Sequence, residues 1–595
     1  MQIGYKNPGL EKTLIILNVV AGVLVVATFI ALFGFYEPLA QPEILFAIQG
    51  GLLVFFFVEK IVRAINAVSI WEFWRANWFE IPLALLLGLT FLAAKGWFGS
   101  SEFARAWHFA LGLYLVLQVV SKASRTIVHL VSLGNDPMRV FIASFLLLIL
   151  AGAGALYLPT STVSRDNITV IDSLFTSTSA ACVTGLTIKD TGRDFTFMGQ
   201  FIILVLIQLG GLGIVMFGAV FAMLFGQAFS VRESVAMQDL LSASTLNRIP
   251  HLIAFIFTVT IAIEALGAVC LMGLWGKDPS WAGSETQRWF LSFFHSVSAF
   301  CNAGFGLFTN NLVSYARRWE VYAVICPLIV LGGLGFGVLY NLGAVVADRI
   351  KRAFKWVCFR QCRFMMEPTM RFSLQAKVAL TVSGILILAG TIGLLVFERY
   401  ATTAGASVAG NVPDAFFQSV TARTAGFNTI NIGALTESSK FVMILLMFIG
   451  GSPGGTAGGV KTVTMAVVVM AVISTLYQRG EIQMFHRSIR QAFVSRSLAV
   501  ITICGAVLFV GVLGLTITER RSDTAFLDLM FEATSALGTV GLSTGITASL
   551  TTSGKLILIV LMLVGRLGPL SLAAALTFDT RQPRYTYPPE GIVVG

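Results

Sequence analysis

Four times along this 595-residue chain a short, half-apolar stretch recurs that is too short to cross a bilayer: Phe175–Leu186, Phe294–Phe305, Phe417–Phe427 and Phe531–Leu542. Each begins with Phe, continues through a Ser/Thr-Ala pair and closes on Gly followed by a bulky apolar residue. The third is one residue shorter than the others between that pair and its Gly. The closing glycines, Gly185, Gly304, Gly426 and Gly541, fall 119, 122 and 115 residues apart. A second feature keeps the same beat. Each following apolar run is interrupted by glycine, at Gly210-Gly211, Gly332-Gly333, Gly450-Gly451 and Gly565, beginning 25, 28, 24 and 24 residues after the loop glycine. Two features sharing one period mark four copies of a helix, re-entrant loop, helix unit.

The medium is set by composition. Hydrophobic residues make up 56% of the chain and charged residues 12%, about half the charged share of a soluble domain. Mean hydropathy is +0.82. A crossing takes about 20 apolar residues, and such runs lie near 13–35, 43–66, 79–98, 106–131, 139–158, 197–226, 250–275, 320–347, 373–397, 440–476, 497–518 and 553–577. The first, from Thr13 to Phe35, is too long for a signal-peptide core and reads as a retained helix. The net charge of +11 resides in short loops between runs, which speaks for positive-inside topology and not for nucleic-acid binding. With the N-terminus cytoplasmic, internal loops hold Arg63 and Arg75, then Lys122, Arg125 and Arg139, then Arg232 and Arg248. The most basic loop spans 349–377, and the last carries Arg479, Arg487, Arg490 and Arg496. External loops mix signs, Arg317 and Arg318 sit on the wrong side, and both termini fall inside. Seven Cys, an odd number, offer no disulfide framework. Cys358 and Cys362 lack the His or second Cys pair of a zinc site.

Residues 1–133 read as a four-helix transmembrane bundle and 134–595 as a pore module, with repeats 134–230, 231–350, 351–480 and 481–595. Irregular backbone is not tolerated against lipid, so the four loops must surround something polar. Around one axis, each short helix would aim its negative C-terminal end at the centre. A ring of carbonyls replacing an ion's hydration shell is one way to select potassium.

At these loops the chain resembles the Trk/Ktr/HKT superfamily of potassium transporters, membrane subunit of the TrkH/KtrB type. The matching segments are Cys182-Val-Thr-Gly-Leu-Thr187, Asn302-Ala-Gly-Phe305, Arg423-Thr-Ala-Gly-Phe-Asn428 and Gly538-Thr-Val-Gly-Leu-Ser543. The resemblance covers about three-quarters of the chain, ~138–578, and implies four non-identical units around a central pore, usually paired as a homodimer. It implies filter positions at Val183, Thr184 and Gly185; Asn302, Ala303 and Gly304; Thr424, Ala425 and Gly426; and Thr539, Val540 and Gly541, with K+ held through backbone carbonyls. In the family a Ser in the first loop goes with sodium preference, so Gly185 points to potassium. It also implies a separate cytoplasmic nucleotide-binding ring of the RCK/KTN type. This chain carries no dinucleotide fingerprint of its own.

Two further features stand out. The segment Gly450–Gly459 holds six Gly and one Pro in ten residues and cannot stay a regular helix. It is no phosphate loop, because Val460 separates the last Gly from Lys461. The resemblance makes it an intramembrane gate, with Gly450, Gly451, Gly454, Gly455, Gly458 and Gly459. Lys461 reads equally as a gate contact or a residue of the cytoplasmic vestibule. Arg566 lies within the last apolar run, where a lone charge costs at least ~2.5–3.5 kcal/mol. It is expected beneath the filter, pairing with gate-loop carbonyls, and the family carries such an Arg. Asp172, Asp414 and Asp528 precede the short helices as ordinary N-terminal acids, with attraction of cations to the mouth as a secondary role.

In the first 133 residues, Val58-Glu59-Lys60-Ile-Val-Arg63 and Phe73–Glu80 have some likeness to voltage-sensor helices. The fourth run offers only Arg105, His108, Lys122 and Arg125, so a degenerate bundle is the better reading. The expectation is therefore an all-α polytopic membrane protein with four helix–pore-loop–helix repeats around a central pseudo-fourfold pore, plus four extra helices. Its function is channel-like potassium uptake across a bacterial inner membrane. No covalent cofactor, nucleic-acid partner or enzyme activity is expected; lipid, a second copy and the regulatory ring are. A sodium-conducting member of the superfamily, a voltage-gated cation channel and a secondary transporter of inverted repeats are the alternatives.

Overall fold

The computed structural model describes residues 6–71, 74, 111–112, 114–115, 118, 137–164, 168–213, 216, 249–275, 284–316, 318–359, 369–400 and 412–568. The runs at 79–98 and most of 106–131 lie outside these residues, as do Arg75, Arg105, His108, Lys122, Arg125, Arg232, Arg248, Cys362 and everything after Gly568.

The described chain is helical apart from a two-residue-stranded hairpin, Gln483–Met484 against Arg487–Ser488. Helices α1 (Pro8–Phe33) and α2 (Pro42–Asn66) precede the repeats. Repeat one is α3 (Pro137–Leu156), the short α4 (Val170–Ala181) and α5 (Phe197–Leu212). Repeat two is α6 (Ile249–Trp275), the short α7 (Glu285–Phe300), and α8 (Cys326–Gly333) followed by α9 (Phe336–Phe359). Repeat three is α10 (Leu374–Tyr400), the short α11 (Val412–Thr421), α12 (Glu437–Phe448) and α13 (Thr462–Leu476). Repeat four is α14 (Gln491–Thr518), the short α15 (Phe526–Gly538) and α16 (Thr552–Leu567). Five helices are long and apolar enough to cross a membrane unaided. A sixth span is bent by 109° between the α8 and α9 segments.

Each short helix has a physical start and stop. Thr169 and Asp172 form a capping box on α4, and Ser284 with Gln287 does so on α7. The leading phenylalanines Phe175, Phe294, Phe417 and Phe531 are completely buried, and three of them join the core of the preceding repeat: Phe294 that of repeat one, Phe417 that of repeat two and Phe531 that of repeat three. In the first three repeats a short-helix serine donates to the outer helix: Ser177 to Ile149, Ser296 to Glu264 and Ser419 to Ile387, each at 2.7 Å. The second helices begin on Thr196, Thr436 and Thr551, whose hydroxyls accept from the N–H three residues on.

The glycine clusters end helices. Leu212 is followed by Gly213 at φ 86°, Gly333 by Gly335 at φ 86°, and Leu567 by Gly568 at φ 82°, angles that favour glycine. Gly210, Gly332 and Gly565 also lie against the last carbonyls of the short helices. A Cβ there would come within 2.0, 1.8 and 2.0 Å of Ala181, Phe300 and Leu537 oxygens.

Among the N-terminal residues, Ala21, Val25, Leu52 and Phe56 pack with Leu111, Tyr114 and Leu115. Charges inside this apolar cluster are mutually neutralised. Arg63 lies 3.0 Å from Glu11 and 3.2 Å from Glu59, and Asn18 donates to Glu59 at 2.8 Å. The turn after α1 docks on repeat one through Tyr36 to the Thr162 carbonyl, 2.8 Å, and Thr160 to the Phe33 carbonyl, 2.7 Å.

Candidate functional site

The four loop glycines meet. A Cβ added to Gly185 would fall 2.3 Å from the Ala303 carbonyl, and one on Gly304 would fall 2.9 Å from that of Ala425. One on Gly426 would fall 2.5 Å from the Val540 carbonyl, and one on Gly541 2.1 Å from that of Thr184. The contacts run one, two, three, four and back to one, so the loops close a ring with no space for a side chain at any glycine. The carbonyls of Thr184, Ala303, Ala425 and Val540 stand between neighbouring glycines around it.

Each loop reaches the ring by the same backbone path. Val183, Asn302, Thr424 and Thr539 have φ of 57°, 58°, 74° and 50°, and the glycines two residues on have φ of 91°, 70°, 79° and 90°. A left-handed conformation costs a residue with a side chain of order 1–3 kcal/mol, and such strain gathers where the surroundings enforce it. The N–H groups are consumed inside each loop. Thr184, Ala303 and Val540 donate to carbonyls five residues back, Ser179, Ser298 and Ser535, at 2.7–2.8 Å. In the shorter third loop Ala425 reaches four back, to Thr421, at 2.9 Å. The missing residue is thus absorbed in the turn before the ring, and Gly426 stays in register. The hydroxyls of Thr184, Thr424 and Thr539 are buried without a hydrogen-bond partner among the described residues.

Outside the ring, adjacent repeats clasp one another. Tyr322 of repeat two donates to Asp414 of repeat three at 2.7 Å. Lys440 of repeat three pairs with Asp528 of repeat four, and Lys555 of repeat four with Asp172 of repeat one, both at 3.0 Å. Each short-helix acid therefore has a partner, a lysine for Asp172 and Asp528 and the neutral Tyr322 hydroxyl for Asp414. The position of Asp172 and Asp528 is held in repeat two by Leu291, and the position of Lys440 and Lys555 in repeat one by Gln200. That seam is aromatic instead: Phe197 and Phe290 lie 4.7 Å apart by ring centroids.

Beneath the ring the fourfold pattern ends. Residues 449–461 form a loop closed at its neck by Gly450 N–H to Val460 carbonyl, 2.9 Å, and laced to the bend of repeat two. Ser452 and Thr456 donate to the Gly333 and Gly332 carbonyls at 2.8 and 3.3 Å, and Phe336 donates to Gly454 at 3.0 Å. A Cβ on Gly458 would fall 2.0 Å from the Thr539 hydroxyl, directly against the fourth loop. Lys461 folds back on the loop and donates to Ala457 at 2.6 Å. Arg566 of repeat four donates to the Thr456 carbonyl of this loop and to the Gly210 carbonyl of repeat one, with a third bond to Gly211 at 2.9 Å. One guanidinium thus joins three repeats.

Two buried residues escaped the sequence reading. Arg423, next to Thr424, reaches the Gly450 carbonyl at 3.5 Å and that of Ser383 at 3.4 Å. Glu264 on α6 accepts from Gln208 at 3.1 Å and lies 3.7 Å from the Cys301 thiol. Arg423 was visible as a charge inside a short-helix stretch, as was Glu532; Glu264 was hidden in a long apolar run.

The sequence profile of the TrkH family, described as cation transport proteins, matches residues 116–585. The chain is 36% identical over 463 residues to the Ktr system potassium uptake protein B of Bacillus subtilis, covering 77% of this chain and 97% of that protein. It is 33% identical over 464 residues to the potassium/sodium uptake protein NtpJ of Enterococcus hirae, covering 77% and 97%. The crystal structure of the potassium transporter TrkH from Vibrio parahaemolyticus shares the fold, with a TM-score of 0.56 at 18% identity, over 85% of this chain and 98% of that one.

Proposed function

The chain belongs to the TrkH family of cation transport proteins, and from that premise we propose that it takes up potassium through the ring of four loops. Carbonyls of Val183, Thr184, Asn302, Ala303, Thr424, Ala425, Thr539 and Val540 stand in for the ion's hydration shell, and Gly185, Gly304, Gly426 and Gly541 let the four strands approach. The observation that carries this reading is the closed glycine ring reached by one backbone path in all four repeats. Arrangements that hold an ion in a dry site must supply oxygens already in place, and a path that consumes its own N–H groups leaves carbonyls over.

Passage is governed one layer lower. The loop containing Gly450, Gly451, Gly454, Gly455, Gly458, Gly459 and Lys461 closes the route beneath the ring, and Arg566 holds it shut against repeat one. The guanidinium also sets a positive charge where a cation must pass. The protein acts in a bacterial inner membrane with both termini cytoplasmic, as a homodimer with a separate nucleotide-binding ring of the RCK/KTN type. The basic segment around Arg349, Lys351 and Arg352 is a candidate contact for that ring.

Ion flux into proteoliposomes holding the purified chain tests this, with potassium, rubidium and sodium compared at matched gradients. Potassium and rubidium well above sodium is the expected result. Sodium at or above potassium would favour the sodium-conducting reading, which the potassium/sodium relative keeps in view. Flux that steps with membrane voltage would favour a voltage-gated channel.

A further inference from the structure

One position of the short helices is polar in every repeat and is not used by the filter or the gate. It follows the leading phenylalanine: Thr176, His295, Gln418 and Glu532, nine residues before the ring glycine, or eight in the shorter third repeat. All four are buried. Three of them reach the same place, the third residue beyond the glycine, where the chain leaves the ring. The His295 Nε2 accepts from the Leu307 N–H at 3.4 Å while its Nδ1 faces the Leu291 carbonyl at 2.8 Å. The Gln418 amide donates to the Thr429 hydroxyl at 3.4 Å. The Glu532 carboxyl accepts from the Thr544 N–H at 3.2 Å, from the Thr547 hydroxyl at 2.9 Å and from the Ser543 hydroxyl. Thr176 is too short to reach across, and its hydroxyl bonds to the Asp172 carbonyl of its own helix at 2.9 Å.

We propose that His295, Gln418 and Glu532 are positioning residues that determine specificity by fixing the outer rim of the filter, with Glu532 the strongest of the three. The ring's N–H groups tie each loop backwards, to the short helix. Just beyond the glycine, Ser298 donates to the Phe305 carbonyl at 2.8 Å and the Leu312 N–H to the Asn428 carbonyl at 3.1 Å. The struts add a tie from the same rigid helix at the third residue beyond the glycine. A carboxyl gripping three donors on residues 543–547 defines its strand more tightly than one neutral bond does, and a strand free to shift by a few tenths of an ångström stops discriminating ions by their size or field. The four repeats thus differ in stiffness at the rim while agreeing at the ring. This proposal rests on reading the ring as the filter.

The test is the rubidium-to-sodium flux ratio of the full chain in proteoliposomes, for Glu532→Ala, Glu532→Gln, Gln418→Ala and, as a ring control, Gly426→Ser. Glu532→Ala is expected to lower the ratio on the order of tenfold, since it strands a buried N–H and two hydroxyls. Glu532→Gln keeps an acceptor for Thr544 and should restore most of it, a rescue that loss of packing alone would not give. Gln418→Ala should lower the ratio less. If Glu532→Ala yields no monodisperse protein, Gln418→Ala, which strands no charge, decides in its place. A wild-type ratio in the deciding variant, beside a collapsed ratio in Gly426→Ser, overturns the strut proposal and leaves the filter standing. A wild-type ratio in Gly426→Ser overturns the filter reading itself.

Discussion

The ring layer and the layer beneath it are built on opposite rules. In the ring all four repeats do the same thing: a residue at positive φ, a glycine two further on, and N–H groups spent within each loop. Immediately below, the repeats divide the parts among them. Repeat three supplies the loop, repeat four the arginine, repeat one the accepting carbonyls and repeat two the bend that receives Ser452 and Thr456. An ion can be surrounded equally only by like groups, so selection favours repetition. On the proposed reading, gating falls to one part that moves against others that stay, and four divergent copies in one chain let a single repeat supply it.

That contrast can be broken at either layer. The largest effect belongs to Gly541→Val, whose Cβ would meet the Thr184 carbonyl at 2.1 Å; flux of every cation should vanish in the proteoliposome assay. Next is Arg566→Ala, which removes three bonds joining the gate loop and repeat one. It should raise rubidium flux several-fold while leaving the rubidium-to-sodium ratio unchanged. The clasps around the ring should affect stability before transport. Lys440→Met strands the Asp528 carboxylate, and breaking one partner of a largely buried pair costs about 3–5 kcal/mol. The pair is partly exposed, so about half of that is expected, read as a lower melting temperature, with Lys440→Met/Asp528→Asn recovering part of the loss. The smallest effect should come from Phe197→Ala at the aromatic seam, beyond its packing loss only about 0.5–1.5 kcal/mol for the ring pair, in the same thermal measurement.

The repeated layer was legible in the sequence because repetition is itself a signal. Gly185, Gly304, Gly426 and Gly541 announce one another by spacing, and the one-residue deficit of the third loop appears in the structure as a bond to Thr421 in place of a residue five back. The struts were equally visible in principle: His295, Gln418 and Glu532 each follow the leading Phe, but a polar residue in a buried helix has no meaning until its partner strand is known. The lower layer was legible only in part. Gly450–Gly459 announces a break, and Arg566 announces a need for oxygen partners, yet the Gly210 and Gly211 carbonyls lie more than 350 residues away in sequence and carry no local mark. The clasps were hidden for the same reason. Asp172, Asp414 and Asp528 look like helix N-terminal acids, and only the closed ring brings Lys555, Tyr322 and Lys440 to them. In the N-terminal helices, where Glu59 and Arg63 have some likeness to a voltage sensor, Arg63 pairs with Glu59 on its own helix and with Glu11 across to α1, while the fourth-run charges lie outside the described residues.

The most direct test of the central claim, that selection and gating occupy separate layers, is to measure rubidium and sodium flux for Gly426→Ser and Arg566→Ala side by side in the same liposomes. The account predicts a dissociation: Gly426→Ser loses the ratio, with flux lowered as well because its Cβ would fall 2.5 Å from the Val540 carbonyl, and Arg566→Ala gains flux with the ratio kept. A loss of selectivity in Arg566→Ala equal to that in Gly426→Ser would contradict it, because the two layers would then be one device.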